Sequence, residues 1–376
     1  MPITEHYSKH GFARGAAVMS TVALLLVLAS IVSVYTARIR SFEQKIQRNT
    51  LNYQNAHNVA QAGLEQAVGQ LIQHPLWSGS MIGDSQVGAG SYEVGLSRQA
   101  IVQSVVPEVL VSLTARGRSA DGLARVNIQE DVIIAPLLQR LPPAPVMTNS
   151  KVSPALAFTL VANPNGAGEG VPLSMWTKEP LPGAALNGIS CAVYEYQTGH
   201  CATRGYSGAA GKGLDIVDQS AQFPGDLNDW LFGIAESDWR YLLSLSNAYA
   251  TTCDGLDRAS GGLIWVSGNC KVARDSAIGS QHAPVVLVIH NGGLEMAGDA
   301  RIYGLVYFFR APDHRGKSAI NMDTGAAIRG ALVANQAMGE AEAQLTVLFD
   351  AKVMSGLLEQ ELLLRVSRVP GSWRDF

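Results

Sequence analysis

A chain of 376 residues has room for two or more domains of ordinary size. Charged residues make up only 16 % of it and glycines number 38, which excludes a disordered polyelectrolyte and suits a membrane segment joined to a turn-rich β protein. A formal net charge of −3 offers nucleic acid no basic surface.

Residues 1–15, MPITEHYSKHGFARG, read as a short basic leader. Ala16–Ala37 follows without a single charge, and its 22 residues would span about 33 Å as a helix, close to the hydrocarbon thickness of about 30 Å. The run is too long for a cleaved secretory signal, and no A-x-A site closes it, because Tyr35-Thr36-Ala37 leads straight into Arg38. Beyond it, Ile39, Phe42, Ile46, Tyr53, Ala56, Ala60, Gly63, Ala67 and Leu71 recur at steps near three and four, one face of a helix. Pro75 stops the pattern. One helix over 16–74 is therefore expected, with 16–37 in the membrane. Asn49, Asn52, Asn55 and Asn58 recur every third residue, either as a solvated face or as a polar seam against neighbouring subunits.

Residues 75–141 read as a small antiparallel sheet. Ser91–Gln99, Pro107–Ser119 and Leu123–Leu138 alternate or run apolar, and Ala120-Asp121-Gly122 turns between the last two. The amphipathic part of the helix is the natural cover for the apolar face of this sheet. Leu141-Pro142-Pro143-Ala144-Pro145 makes a stiff linker. Residues 142–262 are expected to form an irregular linking region. It would hold turns at Asn163-Pro164-Asn165-Gly166 and Gly166–Gly170 and short helices near Asp226–Phe232 and Asp238–Ala250, the second capped by Ser237. Trp230, Phe232, Trp239 and Tyr241 would pack these helices onto the next domain.

In residues 263–357 a unit repeats. Ser276-Ala277-Ile278-Gly279, Asp299-Ala300-Arg301-Ile302-Tyr303-Gly304 and Gly325-Ala326-Ala327-Ile328-Arg329-Gly330 resemble one another, with the isoleucines 24 and 26 residues apart. Short apolar runs lie around and between them: Leu263–Val266, Val285–Ile289, Leu305–Phe309, Ala331–Ala334 and Leu345–Phe349. A unit that cannot bury its own core reads as a short β-solenoid, with each isoleucine inward and the following glycine at a corner. Residues 358–376 form a tail, and Leu357–Val366 would close the exposed end as helix or strand. The fold class is α+β, mostly β.

Little in the chain suggests catalysis. Asp299 and Asp323 could fall on neighbouring coils but read as turn residues. The histidines of the body form no H-x-x-x-H, and no nucleophile-elbow or phosphate-loop fingerprint has its supporting strand and helix. No catalytic residue, metal site or cofactor is expected, and the chain does not read as an enzyme. The alternative is a membrane-anchored β-helix enzyme acting on envelope polysaccharide. Cys191, Cys201, Cys253 and Cys270 contain no C-x-x-C, which argues against a zinc ribbon or thioredoxin-like site. Four cysteines allow three connectivities. Outside the cytoplasm, Cys191–Cys201 and Cys253–Cys270 are the short-loop choices.

Arg14-Gly15-Ala16-Ala17-Val18, followed by the long apolar run, resembles the prepilin leader of the PilX-like minor type IV pilin family. The resemblance implies a pilin-like helix and a cut by a prepilin peptidase between Gly15 and Ala16. Gly11-Phe12 is a second candidate, and it would leave Arg14 within the apolar helix at a cost of about 2.5–3.5 kcal/mol. Asn58–Glu65 is similar to the A-x-A-E-A-G-L segment of that family, with Gln61 in place of the usual Glu. Major pilins carry Glu at the fifth mature position. Ser20 stands there, which implies a minor or tip subunit. Ser260–Cys270 and the glycine-punctuated coils after it look like the C-terminal half of large PilX-like proteins. The partners implied are other pilin subunits along the helix, the prepilin peptidase, inner-membrane assembly machinery and membrane lipid, with no nucleic acid. The implied location is the inner membrane as a single pass, with the C-terminal domain periplasmic and later carried into the extracellular pilus. A charge count opposes that orientation, since two Lys or Arg precede the segment and four follow it. The prepilin likeness and the paired cysteines outweigh it. A GspK-like tip pseudopilin of a type II secretion system is the structurally closest alternative.

Overall fold

The computed structural model describes residues 12–84, 90–102, 104, 106–164, 170–181, 187–199, 201, 207, 211–314, 319–338 and 343–376. Helix α1 runs unbroken from Phe12 to Gln73, about 93 Å at 1.5 Å per residue. Residues 1–11 of the expected leader lie outside the described residues, as do parts of both turns expected at 163–170.

An antiparallel sheet follows, built from β1 (Met81–Asp84), β2 (Gly90–Ile101), β3 (Glu108–Ser119) and β4 (Arg125–Pro136). The expected turn joins β3 to β4: Gly122 has φ 71°, and the Asp121 carboxylate accepts from Ser119 Oγ at 2.7 Å and from Leu123 N at 3.1 Å. Alternation does the rest. Val126, Ile128, Val132 and Ile134 of β4 point inward with Val94, Val111, Leu113 and Ala115, against Ala56, Val59, Ala60, Leu64, Ala67, Val68 and Leu71 of α1.

The remaining strands pair in parallel. From β10 (Ala248–Ala250) the ladder passes to β11 (Gly262–Ser267), β14 (Val285–His290), β16 (Arg301–Phe309) and β18 (Ala327–Ala334). Ile278, in the short strand β13 (Ala277–Ile278), stands opposite Ile302, and Ile302 stands opposite Ile328. All three are buried. A second, three-stranded parallel sheet forms from β12 (Cys270–Val272), β15 (Leu294–Met296) and β17 (Ile320–Met322). Gly304 and Gly330 both have φ 142°, and a Cβ on Gly330 would lie 2.0 Å from the Gly304 carbonyl oxygen. Glycine is thus required where successive layers touch backbone to backbone.

Residues 146–217, expected as an irregular link, instead extend this ladder. They supply β5 (Val146–Thr148), β6 (Ala157–Ala162), β7 (Met175–Thr177), β8 (Gly188–Ala192) and β9 (Ile216–Val217). From β18 one branch runs through β5, β7 and β9; the other runs through β19 (Gln344–Leu348), β6 and β8. Strands of two to six residues carry no period of their own, so the local pattern could not announce them.

The sheet is buried on both faces. Ile264, Leu287, Val306 and Leu332 stack inward, while Trp265, Val288, Tyr307 and Val333 stack outward in the same register. The outward face is covered by α3 (Leu227–Phe232), α4 (Trp239–Ser244) and α5 (Ala351–Glu359), numbered after the short α2 (Val193–Gln197). Asp226 caps α3 by accepting from Asp229 N at 2.9 Å. The helix expected over Asp238–Ala250 ends at Ser244, because Asn247 leaves it to pair with Leu263: its Oδ1 accepts from Leu263 N, and its own N donates to Leu263 O, both at 2.8 Å. Residues 248–250 are therefore strand. Phe232 and Trp239 pack on the sheet as expected, whereas Tyr241 is exposed. Trp239 also stacks on Trp265 and lies 4.6 Å from the buried ring of His290. Burial pushes the His290 imidazole down to about 4.

The expected tail is part of the first sheet. Strands β20 (Leu364–Arg368) and β21 (Arg374–Asp375) both pair antiparallel with β4, so the chain ends where its globular part began.

Candidate functional site

The sheet covers only the last third of α1. Of the nine residues predicted to share a face, Ala56, Ala60, Ala67 and Leu71 are fully buried and Gly63 packs on Tyr92, while Ile39, Phe42, Ile46 and Tyr53 are exposed. Upstream the exposure is complete: Leu24, Leu25 and Leu26 are each 63 % exposed. This is a helix long and apolar enough to cross a membrane. Its hydroxyls suit hydrocarbon, because Thr21, Ser30 and Thr36 donate back to the carbonyls of Val18, Leu26 and Val32 at 2.7–2.9 Å. Each donor is satisfied within the helix, as a medium without water demands. Arg38, Arg40, Lys45 and Arg48 mark the exit from the apolar run.

The packed third is held by close approach and by charge. A Cβ on Gly117 would lie 2.0 Å from the Ala56 carbonyl oxygen, and one on Gly63 would meet the Tyr92 ring at 2.6 Å. Helix and sheet therefore touch almost backbone to backbone. The Tyr92 hydroxyl donates to Gln66 Oε1. Arg368 of β20 reaches both Glu65 of α1 and, at 3.3 Å, the buried Glu130 of β4. The hydrogen bond from Arg368 holds the Glu65 carboxyl below its ordinary range. Trp373 Nε1 donates to Gln61 Oε1 at 3.1 Å. At the foot of the sheet, Asn52 Nδ2 donates to Asp121 Oδ2 at 2.5 Å. The asparagine row is therefore divided, with Asn52 tied to the hairpin and Asn49 and Asn58 exposed.

Gly15 and Ala16 lie within α1 rather than at its start, since the helix begins at Phe12. The cysteines pair as Cys191–Cys201 and Cys253–Cys270. Asp299 and Asp323 both serve turns: Asp299 has φ 61° and approaches Arg301 Nη2 at 3.5 Å, and Asp323 Oδ2 accepts from Gly298 N at 3.2 Å. The contacts of Arg368 and Trp373 with α1 have no trace in the sequence, being separated by 303 and 312 residues.

No family model matches the chain, and no curated protein matches it. Among solved structures it is similar to the competence-associated pilin ComZ from Thermus thermophilus, at 11 % identity and a TM-score of 0.26, over 86 % of this chain and 97 % of that one. It is also similar to an ice-binding protein from the Antarctic ascomycete Antarctomyces psychrotrophicus, at 12 % identity and a TM-score of 0.27, over 55 % of this chain and 94 % of that one.

Proposed function

We propose that the protein is a non-enzymatic minor pilin or pilin-like assembly subunit of the PilX-like kind. The bilayer would hold α1 first, and the helices of other subunits would hold it in the filament. The observation that carries this reading is the length of the uncovered apolar surface. From Val18 to Tyr53 the helix extends about 54 Å, whereas hydrocarbon covers about 30 Å. Lipid alone can cover Ala16–Ala37. It leaves Ile39, Phe42, Ile46, Leu51 and Tyr53 in water, and exposed apolar surface of that extent marks a protein contact. A plain membrane anchor has no use for it.

On this reading the prepilin peptidase cuts between Gly15 and Ala16, the globular part lies in the periplasm, and the stacked strands form a short β-solenoid displayed outward at or near the filament tip. The two disulfides support an oxidising compartment. Mass spectrometry of the mature N-terminus, with and without the peptidase, tests the processing. A start at Ala16 that depends on the peptidase is expected, and an uncut Met1 in its presence would sink the reading. The double substitution Phe42→Ser with Ile46→Ser should leave membrane anchoring intact and remove the protein from sheared filaments. A deletion strain that loses secretion and keeps its pili would favour the tip pseudopilin instead.

A further inference from the structure

A cleft of about 570 Å3 opens on the parallel stack, within the size range of about 300–1,000 Å3 typical of small-molecule sites. One wall is α2, which carries Tyr194, Tyr196 and Gln197 into the lining. This wall is firmly tied down. Glu195 Oε2 accepts from Ala192 N at 2.9 Å to close the first turn, and the Cys191–Cys201 disulfide bridges the chain on either side of the helix. Beneath it, Val193, Tyr196 and Cys201 pack on Val161, Cys191, Ala327 and Leu348.

Arg329 of β18 belongs to the lining between the walls. It stands in register between Tyr303 and Leu348, with its guanidinium 5.9 Å from the centre of the Tyr303 ring. Its Nε is buried and has no hydrogen-bond partner among the described residues. With Nε buried, the outer guanidinium nitrogens are the donors that an acceptor in the cleft would meet. The opposite wall is the first turn of α5. There Asp350 Oδ1 is occupied by the backbone N–H groups of Lys352 and Val353, at 3.1 and 3.2 Å, and the side chain of Lys352 adds a second cation. Gln281 lines the same space.

We propose that this cleft binds an acidic saccharide. The carboxylate of the sugar would take Arg329 through its forked donors, with Lys352 as the second positive charge. The apolar C–H face of the ring would lie against the tyrosines, and Gln197 and Gln281 would meet hydroxyls. Two cations against the one carboxylate of Asp350, which the first turn of α5 already engages, leave the cleft net positive, and beside aromatic and amide groups that matches a ligand with one anionic group and many hydroxyls. They match a purely apolar ligand poorly. The proposal does not depend on the pilin reading: an uncut N-terminus would leave it standing, and failure to bind sugar would leave the assembly role untouched.

The test is calorimetric titration of the full chain in detergent with short oligomers of galacturonate, glucuronate and N-acetylneuraminate. Neutral galactose oligomers and inorganic phosphate serve as controls. Saturable binding of at least one acidic sugar is expected, at least tenfold tighter than either control. Arg329→Gln should weaken that binding at least tenfold with the melting temperature unchanged. If Arg329→Gln fails to fold, Lys352→Gln, at the exposed start of α5, should weaken it at least threefold. Absence of binding to all three acidic sugars, equal binding of the neutral sugar or of phosphate, or full affinity in the folded variants would overturn the proposal.

Discussion

In β4 buried and solvent-facing positions alternate along the strand, while in β14 all six residues are buried. The two sheets solve the same problem in opposite ways. The antiparallel sheet has one dry face, and a single helix covers it, so its strands read as alternation. The parallel stack has an interior on one side and α3, α4 and α5 on the other, so its strands read as unbroken apolar runs. Stability in the first region hangs on one seam between helix and sheet. In the second it is shared among stacked layers, each contacting its neighbours.

The largest effect expected from this difference is on the stack. Ile302→Ala removes a side chain that touches the layers on both sides, and it should cost about 2–5 kcal/mol in denaturant unfolding. Acid separates the regions next. His290 is buried neutral in the stack, so its contribution is complete above the unfolded value near 6.5, falls as the pH drops, and is spent by about 4. That is a loss of about 3 kcal/mol, which His290→Phe should flatten in pH-dependent melts. In the helix–sheet region, Gly117→Ala forces a Cβ against the Ala56 carbonyl and should cost about 1–3 kcal/mol. Hydrogen exchange should show the loss in β2 to β4 and not in β14 to β18; equal loss in both would mean that the two regions unfold as one. The smallest effect belongs to Glu65→Gln, which leaves Arg368 on the buried Glu130. The depressed Glu65 carboxyl contributes stability above the ordinary glutamate range and loses it as the pH falls through its folded value. With both partners partly exposed, the contribution should stay within about 1 kcal/mol, and the variant should lose that acid-dependent step.

What could be read in advance follows the same division. The face Ala56, Ala60, Ala67 and Leu71, the β3–β4 turn, the stacking of Ile278, Ile302 and Ile328 and the short-loop cysteine pairs all rest on spacings within some thirty residues. Periodicity and repetition carry such information. Where the covered face of α1 stops was not legible, because Ile46 and Ala56 fit the same helical pattern and only the extent of the sheet distinguishes them. Strands β5 to β9 were missed because runs of two to six residues are too short to show a period. The proposed cleft draws on five separate stretches, around Asn163, Tyr194, Gln281, Arg329 and Lys352, none of which forms a motif alone.

The return of β20 and β21 to β4 bears on the timing of synthesis. Strand β4 ends at Pro136, and its outer edge waits for a neighbour that begins only at Leu364. A chain emerging from its N-terminus holds that edge open while the whole parallel stack is made. Open strand edges invite pairing with other chains, and contacts this distant form slowly. Newly made protein should therefore need shielding until its last residues arrive. Truncation before Leu364 should then yield a chain whose stack folds while its first sheet goes on recruiting strands from its neighbours.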